Sequence, residues 1–387
     1  MQTPGAQGVE RKSSCNSMGE FTFRFATEED DPALRTFLKQ IPMPGRVSVT
    51  FEREPWFFGG NQIEGDDSRT LLAEDSQTGE IAGMGTWCSL EAWVNGEKER
   101  LGYLGQLRTA KAHRGHLSFL KKGYELLGAS LRPSRPLTNI TTIIEDNWSA
   151  RNFLARPKKG FPLYQERGRL FTFVISTRQV GGKKFSEEFE LRNAISTDLP
   201  EMADFLCRVY RVYQFSPVWS EIVLRNPSRT RGLSLQDFTL AIERTTGRLV
   251  GCLALWDQRA FKQTVVHSYS GSLRWARRVL NPIAGWARIP ELPPPGTVLS
   301  HAFLSHLAVE KEAQRVLPAL VSCQCDVARK RGIDSLMIGV GEGHPLLGTL
   351  GKMSVLEYRS VVYIVKWPEE NGPAIDPGPI HLEIAIL

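Results

Sequence analysis

The sequence lacks any apolar run of about 18 residues, the length that an α-helix needs to cross a bilayer. Residues 1–20 contain no apolar core and no cleavage pattern, so they are predicted to be a flexible N-terminal extension and not a signal peptide. Cysteine is sparse, with six residues in 387 and no CxxC pair. This argues against a disulfide scaffold and a zinc site, and it favours a reducing cytoplasm.

Negative charge is scarce in the middle of the chain. Residues 98–184 hold 18 Lys and Arg against 5 Asp and Glu, a net charge of +13. Residues 1–97 (8 against 16) carry −8, and residues 185–387 (22 against 21) carry +1. A basic segment of this kind favours an anionic partner such as a nucleotide, a nucleic acid or a lipid headgroup. A solvated basic surface remains the alternative for any single Lys or Arg.

Two early stretches of the two halves resemble each other. FRFATEEDDPALRTFL begins at Phe23, and LRNAISTDLPEMADFL begins at Leu191. Each has the pattern of a strand, a turn rich in capping oxygens, and a helix with Pro in its first turn. Aligned without gaps, they share six identities: Arg24 and Arg192, Ala26 and Ala194, Asp30 and Asp198, Pro32 and Pro200, Phe37 and Phe205, and Leu38 and Leu206.

A second pair of similar stretches lies later in each half. LRTAKAHRGHLSFL begins at Leu107, and LAVEKEAQRVLPAL begins at Leu307. Both run from an apolar strand through a charged turn into an amphipathic helix. Apolar residues at helical spacing are Leu117, Leu120, Tyr124, Leu127 and Leu131 in the first helix, and Ala313, Val316, Leu320, Cys323 and Val327 in the second. We interpret both faces as core-packing surfaces.

The remaining strand patterns complete the same order of elements in each half. Two hairpins are predicted from paired strands with a Gly-containing turn, at residues 70–90 and 238–257, and single strands follow at 137–145 and 335–340. The predicted fold is α/β (α+β), with two tandem units that each contain a mixed, mostly antiparallel sheet flanked by helices.

The predicted boundaries of these units follow from the repeat. The first unit covers residues 21–178, a Gly-Lys-rich linker covers 179–186, and the second unit covers 187–367. Residues 268–297 have no counterpart in the first half, and this insertion is predicted to be a lid or a brace between the halves. The C-terminal tail, residues 368–387, ends in HLEIAIL, which has the pattern of a strand that can add to a sheet edge.

The element order, the basic turn after a long strand and the motif EDNWSARNFLARPKKGF resemble the GNAT superfamily of acyl-CoA-dependent N-acyltransferases in its tandem form. The resemblance covers residues 21–176 and 187–367. In that family the turn has the pattern Gln/Arg-x-x-Gly-x-Gly/Ala, and its N–H groups bind the pyrophosphate of CoA. The matching residues here are Arg114, Gly115, His116, Leu117, Ser118 and Phe119, with Leu117 and Phe119 at the two positions that are small in the family.

The corresponding turn of the second half departs further from the pattern. It runs from Gln314 to Ala319 without a glycine, and Pro318 removes one N–H group. The resemblance therefore implies that the first half binds acyl-CoA, with acetyl-CoA as the expected donor and no metal. It implies that the main chain of Leu107, Arg108 and Thr109 holds the thioester. Asn147, in an Asn-x-x-Ala match, would lie near the pantetheine arm and would also suit a helix cap.

Acyl transfer to an amine needs a base for the amine and an acid for the leaving thiolate. The Tyr that supplies the acid in many family members corresponds to Ala155 here. Tyr164 is the nearest substitute for the acid, and Glu145, at the end of the fifth strand of the unit, is the predicted base. Phe119 is about 160° from the apolar row of its helix, so its ring is expected to point away from an open groove at residues 115–118.

The predicted function is N-acyl transfer, most simply from acetyl-CoA, to a small-molecule or peptide amine. One alternative is a non-catalytic CoA-binding, ligand-binding or regulatory protein on decayed transferase units. The other is a transferase that uses aminoacyl-tRNA, since the basic segment suits RNA phosphates. No basic stretch studded with aromatic residues accompanies that segment, so a nucleic-acid partner is not favoured. The sequence determines neither the acceptor amine nor the oligomeric state, with a monomer or a homodimer both open.

Overall fold

The computed structural model of the protein describes residues 16–18, 20–114, 117–132, 138–178, 187–287, 291–368 and 374–387. The predicted linker, 179–186, lies outside these ranges, as does most of the predicted N-terminal extension. Asn16–Met18, within that extension, pair with Phe21–Phe23 as a short strand. No helix among the described residues is long and apolar enough to cross a membrane.

The first half contains the predicted strands and helices in the predicted order, with strand β3 and helix α2 inserted after the first helix. Its elements are β1 (Asn16–Met18), β2 (Phe21–Phe25), α1 (Asp31–Gln40), β3 (Val47–Glu52), α2 (Phe57–Glu64), β4 (Asp67–Asp75), β5 (Ile81–Val94), β6 (Glu97–Thr109), α3 (Leu117–Leu131), β7 (Thr138–Ile144), α4 (Trp148–Leu154) and β8 (Leu163–Ser176).

The second half repeats this order with additions. Its elements are β9 (Phe189–Asn193), α5 (Leu199–Tyr210), β10 (Ser216–Pro217), α6 (Glu221–Arg225), β11 (Phe238–Glu243), β12 (Leu249–Trp256), β13 (Gln263–Tyr269), α7 (Gly271–Ala287), β14 (His301–Val309), α8 (Leu317–Lys330), β15 (Ser335–Gly341), α9 (Leu347–Met353) and β16 (Leu356–Lys366).

The identities shared by the two early stretches form the same contact in each half. Arg24 donates two hydrogen bonds to the carboxylate of Asp30, at 2.8 and 2.7 Å, and Arg192 does so to Asp198, at 2.6 and 2.7 Å. Each Asp also accepts the main-chain N–H that begins the turn before its helix. The repeated Arg and Asp therefore fix the angle at which the first strand of each half enters its first helix.

One mixed, mostly antiparallel sheet runs through both halves. Its strand order over the described residues is β1-β2-β4-β5-β6-β7-β16-β8-β15-β14-β12-β11-β9. The last strand of the second half, β16, lies between β7 and β8 of the first half. The last strand of the first half, β8, lies between β16 and β15 of the second half. The two halves thus exchange their final long strands.

The segment before the insertion joins the two halves a second time. Strand β13 pairs with β3 of the first half in a separate two-stranded sheet, and the N–H of Ser270 donates to the carbonyl of Arg46 at 2.9 Å. This contact agrees with a bracing role for the start of the insertion.

The C-terminal residues do not form the predicted strand. Ile384–Ile386 form a short 3-10 turn, and all residues from Ile380 to Ile386 are buried. The strand prediction rested on alternating polar and apolar positions, but here the polar members His381 and Glu383 are buried as well. The tail is therefore buried against both halves, since Ile380 also packs on Gly168 of the first half, and it does not extend a sheet edge.

Candidate functional site

The first half contains a cleft between two parallel strands, β6 and β7, that diverge. Strands β6 and β7 pair at only three positions, from Leu101 with Thr138 to Tyr103 with Ile140. Beyond them β6 continues to Thr109, with a bulge at which Gln106 has a positive φ of 52°. The bulge bends β6 away from β7, because a bulged strand turns out of its ladder. We call the space between the two strands the first cleft.

The second half builds the same cleft at the equivalent place. Strands β14 and β15 pair at three positions, from His301 with Ser335 to Phe303 with Met337, and His306 has a positive φ of 53°. When the two later repeats are aligned at Leu107 and Leu307, Gln106 and His306 coincide. The bulge is therefore a feature of both copies. We call this space the second cleft.

The C-terminal tail fills the second cleft. The carboxyl group of Glu383 accepts the N–H of His306 at 2.9 Å and that of Ala385 at 3.3 Å. Ile384 packs so closely on Gly339 that a Cβ there would come within 2.2 Å of it. Burial raises the pKa of Glu383 to about 7, although the two main-chain hydrogen bonds act in the opposite direction. A carboxyl oxygen of the protein itself thus accepts the hydrogen bond from the main-chain N–H group at the bulge.

The equivalent position in the first cleft has no such occupant. Among the described residues, no side chain forms a hydrogen bond to the main chain of Gln106, and its Oε1 atom is buried without a partner. Buried polar atoms normally have partners, so this side-chain oxygen is an unused hydrogen-bond acceptor beside the bulge.

Tyr103 and Thr142 face each other across the first cleft. The Tyr103 hydroxyl lies 2.8 Å from the hydroxyl of Thr142, which places a phenol between the diverging strands. Burial raises the pKa of Tyr103 to about 12, although the hydrogen bond with Thr142 opposes this shift. Tyr103 is therefore protonated at neutral pH and can donate a proton but cannot act as a base.

A cluster of buried charges lies on the sheet face that carries α1 and α2, and we call it the charged cluster. Glu64, at the end of α2, accepts hydrogen bonds from Arg53 and from Lys262 of the second half. Burial alone would raise the pKa of Glu64, but the charges of Arg53 and Lys262 outweigh it and hold the pKa below its usual value. Glu64 is thus an ion-pair partner and a weak base. Lys262 shows that the second half contributes to the site of the first half.

Arg108 extends from β6 toward the same face. It pairs with Met84 of β5, and Met84 packs with residues of α1 and α2. The main-chain positions Leu107, Arg108 and Thr109, which the resemblance assigned to the thioester, form the end of the diverging part of β6. Their placement agrees with that assignment but does not test it.

The proposed phosphate turn is partly described. Arg114 follows a 3-10 turn at Lys111–His113, whereas Gly115 and His116 lie outside the described residues, as do the side chains of Leu117 and Ser118. The Phe119 ring is buried at 5% exposure against Phe21 and Phe23, with ring centroids at 5.1 and 5.5 Å. It thus lies beneath α3 on the sheet of its own half.

Asn147 caps α4 as expected from its sequence. Its side-chain oxygen accepts the N–H of Ala150 at 3.2 Å. The cap fixes the start of the helix that follows β7, and it is compatible with the role beside pantetheine that the resemblance implies.

Glu145 and Tyr164 lie on the opposite face from the charged cluster and have separate partners. Glu145 accepts from Nε of Arg169 at 2.9 Å. Tyr164 is buried, with its hydroxyl 2.6 Å from that of Tyr124 in α3. Burial raises the pKa of Tyr164 well above its usual value, with the Tyr124 hydroxyl adding to the shift. Their roles as base and acid stay predictions.

The candidate site residues that the sequence did not reveal are Glu64, Tyr103, Gln106 and Lys262. Tyr103 and Gln106 lie in the predicted strand before the basic turn, and alternation along that strand gave no sign of the bulge. Lys262 comes from the other half, so only the packing of the two halves places it near Glu64. Among the described residues, no group of three or more His, Cys, Asp or Glu is placed to hold a metal ion.

Comparison with known proteins gives matches at the level of structure. No protein-family model and no curated protein sequence matches the chain. A GCN5-related N-acetyltransferase from Sphaerobacter thermophilus is 14% identical with a TM-score of 0.57, over 94% of this chain and 99% of that one. Saccharomyces cerevisiae N-myristoyltransferase with bound myristoyl-CoA is 10% identical with a TM-score of 0.59, over 94% and 82%.

A third similar structure is a GCN5-related glucosamine N-acetyltransferase region of a fungal GH3 β-N-acetylglucosaminidase. It is 13% identical with a TM-score of 0.56, over 94% of this chain and 39% of that one. Identities this low show the fold and leave the chemistry to the site. The chain therefore has the tandem GNAT fold, as the sequence resemblance predicted.

Proposed function

We propose that the protein is an acyl-CoA-dependent N-acyltransferase, that acetyl-CoA is its donor, and that its first half holds the donor. The observation that supports this assignment is the difference between the two clefts. The second cleft is filled by Glu383 and Ile384, whereas among the described residues no side chain forms a hydrogen bond to the main chain of Gln106 in the first cleft. The carboxyl oxygen on the N–H of His306 also indicates where a thioester carbonyl would accept a hydrogen bond in the first half, at the bulge of β6.

In the proposed reaction the thioester lies along the diverging part of β6. A main-chain N–H group at the bulge polarises its carbonyl and stabilises the oxyanion that forms when the amine attacks. The amine nitrogen forms the new C–N bond and loses a proton, the C–S bond breaks, and the thiolate of CoA takes up a proton. The amide and free CoA are the products.

Two tyrosines are candidates for the proton donor. We favour Tyr103, because its hydroxyl lies across the first cleft, whereas the hydroxyl of Tyr164 is bonded to Tyr124 behind the sheet. Glu145 remains the proposed base. Its place at the end of β7 suits a proton relay through water at the mouth of the cleft.

The phosphate end of the donor is proposed to bind at the start of α3. Arg114 is an exposed cation just before this helix, in the segment of net charge +13. The corresponding residue of the second half is Gln314, in a turn whose helix begins Leu317-Pro318. The free Cys thiols of the described residues fit a cytoplasmic location, which belongs to this proposal.

Calorimetric titration with acetyl-CoA tests the proposal, in wild type and in two matched variants. Arg114→Ala is expected to weaken binding about tenfold or more, because one charge-assisted contact to phosphate is lost. Gln314→Ala is expected to leave the affinity unchanged. Equal losses of affinity in the two variants would mean that the donor site was assigned to the wrong half, or that both halves bind the donor. No binding of acetyl-CoA at millimolar concentration would favour the non-catalytic alternative.

A further inference from the structure

Arg229 and Arg108 lie beside the charged cluster, and with Arg53 and Lys262 they form a group of four cations that differ in their partners. Arg53 and Lys262 share the carboxylate of Glu64, with Lys262 at 3.3 Å. Arg229, from the second half, lies 3.5 Å from Asp66. Lys262 also donates to the main-chain oxygens of Ala385 and Leu387, at 3.5 and 3.3 Å. Each of these three cations thus has a carboxylate within ion-pair distance, although Nε and Nη1 of Arg229 are buried without a hydrogen-bond partner.

Arg108 is the exception. Among the described residues no carboxylate lies within ion-pair distance of it, and its one hydrogen bond runs to the carbonyl of the adjacent Leu107 at 3.0 Å. Burial lowers the pKa of Arg108 to about 10, and the nearby charge of Arg53 adds to this effect. A partly desolvated guanidinium beside a second cation is costly, and the cost falls when an anion binds between them.

Arg108 is also placed where two reactants would meet. It stands three residues beyond Gly105 on the diverging part of β6, on the face of α1 and α2. The helix that begins at the proposed phosphate turn, α3, packs on the other face, where its Phe119 contacts Gly83 of β5. A phosphate at the start of α3 therefore approaches from the other face of the sheet.

We propose that Arg108 recognises a carboxylate of the acceptor, so that the acceptor class is an amine that carries a carboxylate, as amino acids do. The guanidinium offers two parallel N–H groups to the two carboxylate oxygens, which fixes the direction of the amine relative to the thioester. This inference rests on the proposed function, since it assigns the second substrate of the same cleft.

The test compares amino acids with their carboxamides as acceptors. Each pair presents the same amine and side chain, and only the carboxylate differs. Release of CoA from acetyl-CoA is followed with a thiol reagent, and the acetylated product is identified by mass spectrometry. Wild type is expected to use at least one amino acid with a kcat/KM about tenfold or more above that of its amide.

Substitutions at Arg108 then separate recognition from folding. Arg108→Gln is expected to lose the preference by lowering kcat/KM for the acid alone, and Arg108→Lys is expected to retain part of it. Arg100→Gln, the same change at an exposed position of the same strand, is the control. Thermal melting shows whether each variant is folded.

With acetyl-CoA as the donor, three results would overturn the inference. They are equal use of acids and amides, turnover of neither, and an Arg108→Gln variant that loses affinity for acetyl-CoA while it keeps the preference for acids. The last result would make Arg108 a contact of the cofactor. A preference for succinyl-CoA over acetyl-CoA with neutral amines, if it is lost in Arg108→Gln, would also reject the inference. It would mean that Arg108 binds a carboxylate of the acyl group and not one of the acceptor. Failure of acetyl-CoA to bind wild type in calorimetry would reject the proposed function itself.

Discussion

Tyr103 stands between the two strands that diverge in the first half, with its hydroxyl 2.8 Å from that of Thr142. Tyr103→Phe removes the proposed proton donor and keeps the ring, so kcat is expected to fall about 10- to 100-fold, with the dissociation constant of acetyl-CoA nearly unchanged. Steady-state kinetics and calorimetry measure the two quantities.

Tyr164→Phe is the matched comparison for this prediction. It also removes a phenol, but one that is bonded to Tyr124 on the other side of the sheet. If Tyr164→Phe abolishes turnover and Tyr103→Phe does not, the acid is the residue predicted from the sequence.

Glu383 is expected to make stability depend on pH in a way that one substitution can isolate. Its pKa is raised from 4.5 to about 7 in the folded protein. The folded state thus binds the proton more tightly, and the free energy of unfolding contributed by this group falls as pH rises from about 4.5 to about 7. Glu383→Gln cannot ionise and keeps an oxygen for the N–H of His306.

The free energy of unfolding of Glu383→Gln minus that of wild type is therefore expected to increase by on the order of 3 kcal/mol between pH 4.5 and 8. Burial lowers the pKa of His306 and His381, but both histidines are present in each protein, so their effect cancels in the difference. Urea denaturation at several pH values gives the difference, with Glu201→Gln on an exposed helical position as the control. A constant difference across this range would contradict the prediction.

At the scale of residues, the sequence predicted the residues that recur in both halves. It did not predict contacts between residues that are far apart in the chain. Arg24 and Asp30 were found because Arg192 and Asp198 recur in the second half, and they form the same ion pair. Glu64 and Lys262 are 198 positions apart, and nothing in either local pattern links them. Contacts between halves of a chain depend on packing, which a local period does not encode.

Among the elements, α3 shows that a helical period can identify buried residues correctly and still miss one of them. The predicted row includes Tyr124, Leu127 and Leu131, which are buried as expected. Phe119 is off this row and is buried too, because the start of the helix packs over β2 and β5. Gly83 makes room for it, since a Cβ there would lie 2.6 Å from the ring.

Gly83→Ala is accordingly expected to destabilise the protein by about 1–3 kcal/mol, since an aromatic ring and the carbonyl of Arg108 both crowd the added methyl group. Gly85→Ala is the matched control on the same strand and face, because its Cβ would meet only Leu107, at 3.8 Å. Thermal or chemical denaturation measures both. Equal effects would mean that the loss of glycine flexibility and not the Phe119 ring decides the outcome.

The hairpins illustrate where elements could be predicted well. Strand β11 runs from Phe238 to Glu243 as predicted, and β12 ends at Trp256, one residue before the predicted end. Alternation and a Gly-containing turn are local signals, so they suffice for a hairpin. The tail could not be predicted in this way, because its shape depends on the cleft that it fills.

Across the whole molecule, the exchange of β16 and β8 makes the two halves depend on each other. Strand β16 pairs with β7 at five positions and with β8 at eleven. A fragment of residues 1–180 is therefore expected not to fold alone, because β7 and β8 would both present open edges. Co-expression with residues 181–387 is expected to restore a soluble complex, and size-exclusion chromatography and circular dichroism measure the result.

The control for this prediction is the intact chain cut after folding at a protease site placed within residues 181–184. That cut leaves both fragments assembled, so it separates the effect of a chain break from that of a missing strand. A monomeric, cooperatively folded fragment of residues 1–180 would contradict the interdependence of the halves.

The exchanged strands also limit how the two similar halves can diverge in evolution. After duplication one copy is usually free to disappear, but here the loss of either half would remove a strand from the middle of the sheet of the other. Selection for the first half is thus expected to preserve the second half as a scaffold, whether or not the second half keeps a site of its own. The turn at Gln314–Ala319 has no glycine and carries Pro318, and its cleft is occupied by the tail, yet the strands on both sides are intact. We therefore expect the second half to be conserved as a structural partner of the first half, whatever its own cleft binds.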